Sequence, residues 1–405
     1  MNSQWKARDL TRPLFFSLCV VLPLSAAHAI SLQDVGPTGP GQTEALSVNF
    51  NGDIVGSQLS TAANSQVWVA TLPNPAVFLK PLIANTQCDT TFLRVANNRT
   101  IVGVCPGLLG GKQGVIWNAS NPAANPTRLM PLLLPEVGLR SNPTAINRNG
   151  EVAGVSIGAL GTKAAGWPAG SGTAFAISNI FDGCMPVDLS EVYSSGKPVV
   201  ALNCPNASGA MRGHAAVAGA GGYTHTLLPV PAGASRCVAV GVNNNFQYTG
   251  TCYFPGNVTK ATFWNNATAT PSTFALVPGV TSTTAFALNE TAKVYVSYQD
   301  TSGNPAAAYW DPVGSFVTVI PPPPTYNNVY LADIAQDTIK VAFNSYAAGF
   351  YRCAIWSPSA GTQIIDNLLA GNACRLYAMS TNGQYVAGGA TDNTGVRKGV
   401  IAITP

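Results

Sequence analysis

Side chains able to do chemistry are few in this chain. Its 405 residues include only 17 Asp and Glu and 3 His. His214 and His225 lie in "RGHAAVAGAGGYTHTLL", which reads as a hairpin about a glycine-rich turn. Cross-strand neighbours share a face, so the two imidazoles are half of a metal site in principle. Two partly exposed strand histidines are the plainer expectation, and no metal is assigned. "GVSIG", residues 154–158, has the letters of a nucleophile elbow around Ser156. An elbow needs a strand-to-helix turn, and no helical pattern follows, so no catalytic residue is assigned. No H-E-x-x-H, EF-hand or phosphate-binding glycine motif occurs, and no cofactor is expected. Arg94, Asp188, Glu191 and Asp333 interrupt small or apolar surroundings. A carboxylate pair such as Asp188 and Glu191 suits acid–base work, and a ring of charges suits a polar ligand.

What positions these residues is a repeated element. "SVNFNGDIVG" (residues 47–56), "AINRNGEVAG" (145–154) and "AMSTNGQYVAGG" (378–389) are near copies. Asn-Gly between alternating apolar residues is a strong hairpin signal, because both residues of the tight turn accept positive φ. A third strand follows, ending near Trp68, then a turn and a fourth, "AVFLKPL". One unit is thus a four-stranded antiparallel meander. With Gly56 as marker, the counterparts are Gly103, Gly154, Val200, Gly250, Val296, Ala342 and Ala387, a step of roughly 47 residues. Trp68, Trp117, Trp167, Trp264, Trp310 and Trp356 recur in the same register and are expected to wedge between units. The recurring Asn49, Asn147, Asn243 and Asn289 are expected to satisfy their own turns.

The expected fold is all-β: a β-propeller of about eight four-stranded blades. "ISLQDVG" at residues 30–36 matches a fourth strand, and the eighth unit stops after its third. The N-terminal strand is therefore expected to complete the last blade and protect its edge. First strands line a propeller's channel. Two residues before the Asn position, most units carry a small residue: Ser47, Ala145, Gly241, Ala287 and Ala378. Arg94, Glu191 and Asp333 break this, with Asp188 just before Glu191, and these four are the candidate ligand-binding residues.

Composition sets the location. Lys6, Arg8 and Arg12 precede "PLFFSLCVVLPL" and then "AHA" ending at Ala29, the pattern of a secretory leader. Residues 1–29 are expected to be removed, leaving residues 30–405 as one domain with no membrane span. Export permits disulfides. The remaining cysteines are expected to pair as neighbours: Cys88–Cys105, Cys184–Cys204, Cys237–Cys252 and Cys353–Cys374. The first three flank hairpins, and the last rests on elimination. A formal charge of +4 with no basic cluster argues against a nucleic-acid partner.

The pattern A-x-A-I-N-x-x-G-x-V-x-G, the Trp-ending third strand and an "L-x-D-L-G"-like closing strand together resemble the HAF-type extracellular repeat family, across nearly all of residues 30–405. The resemblance implies an exported bacterial β-propeller-like protein, extracellular or periplasmic, and no catalytic residues. Its His-Ala-Phe element survives only as "HAA" at His214. Two function classes stay open. One is a monomeric, non-enzymatic binding or scaffold protein taking a glycan, peptide or protein. The other is a polysaccharide hydrolase or lyase with its site in the channel. The scarcity of His, Asp and Glu favours the first.

Overall fold

The computed structural model describes residues 30–404 apart from 40, 60–64, 108–109, 133–139, 160, 179–181, 275–277, 348 and 367–369. The expected leader, residues 1–29, lies outside the described residues. Among these, the only regular structure besides strand is one 3-10 turn at Pro255–Asn257. Each of the first six units forms its own four-stranded sheet. The first, for instance, is Gln42–Val48, Asp53–Leu59, Ser65–Thr71 and Val77–Phe78. Ile30–Asp34 joins the last two units into one eight-stranded sheet. That strand runs antiparallel to Arg397–Ile403, with Leu32 opposite Ala402, and parallel to Gly361–Asp366, with Ile30 opposite Ile365.

The buried core is a series of apolar wedges, one between each unit and the next. Val55, Val69, Leu93 and Trp117 fill the wedge between the first and second units. Ala45, Ile54 and Trp68 of the first unit share another with Ala387 and Ile401 of the eighth. Each tryptophan faces backward onto the preceding unit. Trp117 Nε1 donates to Lys80 O at 2.7 Å, Trp167 to Met130 O at 2.8 Å and Trp264 to Pro229 O at 2.8 Å. Five tryptophans share one register. Trp68 sits two residues earlier on the same face, opposite Gly56, whereas Trp117 faces Ile101.

The recurring hairpin differs in detail from the tight two-residue turn. Gly52 and Gly150 have positive φ, but Asn51 and Asn149 do not. Gly52 N donates to Asn49 O, and Asn49 N to Asp53 O, at 3.2 and 3.0 Å. This is a type I turn followed by a left-handed glycine, the three-residue hairpin. The asparagines do more than close it. Asn49 Oδ1 accepts the amides of Asn51 and Asp53, both at 2.9 Å, while Nδ2 reaches Ala96 O of the next unit at 2.8 Å. Asn147 reaches Ser190 O at 2.9 Å, and Asn243 reaches Asn289 O at 3.2 Å.

Each first strand carries a bulge before the turn, as between Ala45 and Ser47. The bulge drives a carbonyl onto the facing residue. A Cβ on Gly56 would lie 2.1 Å from Glu44 O, and one on Gly250 the same distance from Val238 O. Pairing across the bulge corrects the repeat alignment. The true counterparts of Gly56 are Leu202, Phe343 and Gly388, not Val200, Ala342 and Ala387.

All four expected disulfides form, with Cα–Cα distances of 3.9, 4.1, 4.0 and 5.5 Å. Three span the first and second strands of one unit. Cys353–Cys374 ties the seventh unit to the eighth. Non-reducing peptide mapping is expected to return these four links. A crossed link such as Cys105 to Cys184 would contradict the pairing.

Candidate functional site

The bulge also moves the channel position in the fourth unit. Asp188 pairs with Ala201 as Asp333 pairs with Ala342 and Ser47 with Val55. Asp188, not Glu191, is therefore the counterpart of Asp333 there. Ser190 takes the Asn place and Glu191 the turn place after it. A second register shift between Leu189 and Tyr193 hid this in the sequence.

Asp188 and Asp333 act on the neighbouring unit. Asp188 Oδ2 accepts Val242 N at 3.0 Å and Oδ1 accepts Leu189 N at 2.9 Å. Asp333 accepts Met379 N at 2.8 Å and Ile334 N at 2.9 Å. Ser47 accepts Val95 N in the same way at 3.3 Å. Both aspartates are half-buried with protein around the carboxyl group. Burial pushes Asp188 up to about 7 and Asp333 up to about 6, against the pull of those amides. Arg94 is exposed and unites two roles: its Nη1 donates to Leu93 O at 3.0 Å, and its charge lowers Asp333.

Asp188 thus favours the fold when protonated. Its contribution is intact below pH 3.8 and is lost as pH rises through about 7. Replacing it by the serine of the first unit, Asp188→Ser, keeps an acceptor for Val242 and removes the charge. The variant is expected to be more stable than the parent at pH 8, by about 1 kcal/mol, and not at pH 4. Urea denaturation at both pH values checks this; a parallel loss at both would contradict it.

Glu191 belongs to an ionic cluster that repeat logic did not reveal. Arg148, at the turn of the third unit, stands 3.1 Å from Glu191, 3.9 Å from Glu290 and 2.6 Å from Asp337. Only Nη1 on Asp337 has hydrogen-bond geometry; the others are charge contacts. Asn244 N donates to Glu290 at 2.8 Å, Glu191 N donates to Asn244 Oδ1 at 2.7 Å, and Asn244 Nδ2 returns a bond to Glu191. Units three, four, five, six and seven meet here, so the cluster spans the channel mouth on the turn side. Burial raises Glu290, with Glu191 and Asp337 acting in the same direction. A signal existed: Arg148, Glu191 and Glu290 occupy the same column, the residue after the Asn position.

The remaining chemistry candidates are structural. Ser156 is buried in Val152–Gly158, and its Oγ accepts Leu132 N at 3.0 Å. His214 and His225 lie with ring centroids 6.4 Å apart, and His225 Nε2 contacts Ile177 O at 3.0 Å. Burial lowers His214, with His225 adding to the effect. Among the described residues one cluster has metal-ligand spacing: Cys184, Cys204 and His225. Its two cysteines form a disulfide, so it offers a single donor.

The opposite end of the channel carries a different surface. A cavity of about 320 Å³ lies between units seven and eight, lined by Tyr330, Leu331, Asn344, Tyr351, Arg375 and Tyr377. A further hollow of about 110 Å³ shares Tyr351 and Arg375 and adds Arg397. Tyr351 lies 4.9 Å from Tyr346 and 6.3 Å from Tyr330, ring to ring. The Arg375 guanidinium sits 5.3 Å from the Tyr351 ring and 5.5 Å from the Tyr377 ring. Arg397 is matched: it pairs with Glu44 at 2.9 Å and donates to Tyr377 Oη at 2.6 Å. Among the described residues no carboxylate pairs with Arg375. The floor is stitched. Asn344 exchanges bonds of 3.1 and 2.7 Å with Leu376, and Cys353–Cys374 crosses beneath.

No family model matches the chain, and no curated protein matches it. Solved structures do. The Dos1 propeller superposes with TM-score 0.53 at 9% identity, over 92% of this chain and 94% of that one. The fold is a β-propeller. An oligogalacturonate lyase from Vibrio parahaemolyticus matches with TM-score 0.52 at 10% identity, over 93% of this propeller and 97% of that chain. A puromycin-hydrolyzing peptidase from Mycobacterium tuberculosis matches at 0.53 and 11%, over 89% of this chain; the propeller spans 62% of that peptidase. Identities this low show the fold alone. Among the described residues no helix of the propeller is long and apolar enough to cross a membrane.

Proposed function

We propose that this propeller is an exported, non-enzymatic binding or scaffold protein that takes its ligand at the rim groove between units seven and eight. The observation that carries the reading is Arg375, a guanidinium within 5.5 Å of two tyrosine rings at a cavity and left without a carboxylate partner among the described residues. Convergent polar groups in an otherwise preformed cavity are what ligand sites look like. The channel acids offer less, because their oxygens already accept backbone amides or face Arg148. The leader-like N-terminus and four disulfides support an extracellular or periplasmic place. The HAF-type resemblance supports it too, on the sequence pattern alone.

A polysaccharide hydrolase or lyase in the channel is the competing reading. Tyr377 is the phenol best placed to take a proton at the rim, but burial raises it, outweighing Arg397, so it stays protonated near neutrality. Glycan and peptide arrays set against turnover on the same polysaccharides test the proposal. Saturable binding without product formation is expected. New reducing ends or unsaturated products, lost in Asp188→Asn or Asp333→Asn, would overturn it.

A further inference from the structure

We propose that the ligand of this groove is an acidic glycan: an oligosaccharide whose uronate carboxylate pairs with Arg375 and whose sugar rings lie on Tyr330 and Tyr351. The proposal rests on the rim-groove reading and adds the ligand's charge and class. A guanidinium presents its N–H donors along its edges in a fork that fits a carboxylate with two parallel bonds. The Tyr351 and Tyr377 rings lie 5.3 and 5.5 Å from the Arg375 guanidinium, a cation–π attraction that does not use its N–H donors. Glu44, beside this surface, is engaged by Arg397 and Tyr377. Among the described residues the groove therefore keeps one positive charge without a carboxylate partner.

The aromatic residues argue for sugar over a simple anion. Tyr330 is 40% exposed and Tyr346 is 42% exposed, while Tyr351 links them. Tyrosine offers a flat apolar face with a polar tip at low entropic cost, which suits a ring with C–H faces and a hydroxylated edge. Three such rings beside one free guanidinium fit several sugar units carrying a carboxylate. The cavity of about 320 Å³ adjoins the smaller hollow, with Tyr351 and Arg375 lining both, so a chain-like ligand can reach from one to the other along the groove. Asn344 and Cys353–Cys374 fix the two units beneath it, so little ordering is needed on binding.

Titration calorimetry on the intact protein tests this with an oligogalacturonate, its methyl ester, a neutral malto-oligosaccharide and polyglutamate. The free acid is expected to bind. Arg375→Gln is expected to weaken it about 10- to 100-fold, with the melting temperature unchanged and Arg375→Lys recovering part of the loss. Tyr330→Ala is expected to weaken it by about tenfold, again without unfolding. Equal binding of the acid and its methyl ester, or indifference to Arg375→Gln, would overturn the acidic-glycan inference and leave the rim groove standing. Polyglutamate binding as well as the oligogalacturonate would overturn the sugar and point to an acidic peptide. Binding that survives both Tyr330→Ala and Arg375→Gln, or no glycan binding at all, would overturn the inference, and the first of these would also remove the groove as the site.

Discussion

Removing residues 30–36 is expected to lower the melting temperature by about 10 °C, through a loss of roughly 5 kcal/mol. Ile30, Leu32 and Val35 are at most 9% exposed, and each is worth about 1.5–3 kcal/mol when buried. The ladder to Arg397–Ile403 and the bond from Val35 N to Gly399 O at 2.9 Å are lost as well. A loss on this scale is a large part of an ordinary stability of about 5–15 kcal/mol. The strand's removal also leaves Arg397–Ile403 as an unpaired edge, so the truncated chain is expected to self-associate. A synthetic ISLQDVG peptide added in trans is expected to recover part of the melting temperature. Thermal denaturation followed by circular dichroism measures both effects. An unchanged melting temperature would mean that the strand does not close the ring.

Arg148→Ala is the second large effect. Removing one member of a buried ion pair costs roughly 3–5 kcal/mol. Here the side chains of Arg148, Glu191 and Glu290 are 19–20% exposed and that of Asp337 is 41% exposed, so the expected loss is about 2–3 kcal/mol at pH 8. The three carboxylates would then face one another without a cation. Burial already raises Glu290, and the substitution removes the Arg148 charge that holds it down. A carboxylate raised by folding contributes stability that is intact at low pH and lost as pH rises. The variant is therefore expected to fall well short of the parent at pH 8 and to approach it near pH 4. Denaturant midpoints across that range decide the matter; a pH-independent deficit would show that the cluster is packing rather than charge.

The repeated hairpin, the wedge tryptophans and the four disulfides were legible in the chain because they are local or strictly periodic. Cys237 and Cys252 face each other across one hairpin, so strand alternation places them together. The bulge was not legible. It inserts one residue without a composition of its own, and in the fourth unit a second shift between Leu189 and Tyr193 lengthens the turn, so that in the sequence Glu191 falls where Asp188 belongs. Trp68 misled in the opposite way: two residues along a strand keep the face, so a displaced tryptophan still matches the pattern. The Arg148 cluster was hidden because its members are 43 to 189 residues apart in the chain and only the ring brings them together. The groove leaves a trace in the composition of the sequence. Six of the 13 tyrosines, Tyr326, Tyr330, Tyr346, Tyr351, Tyr377 and Tyr385, fall in the last two units.

The bonds between units run in two directions, and this sets an order in time. The tryptophans of the second, third, fifth, sixth and seventh units face a unit already made, as Trp167 does on Met130 and Trp264 on Pro229, whereas Trp68 must wait for the eighth. The turn asparagine must wait too, because Asn147 and Asn243 donate to backbone of the unit that follows. A growing chain that has just made such a turn therefore carries an unsatisfied amide at its leading edge until the next unit is made. The strand Ile30–Asp34 waits longest, since its partners near residue 400 are the last to be made. Assembly is a local relay that ends in one long-range step, and loop-closure entropy makes that final step the slow one.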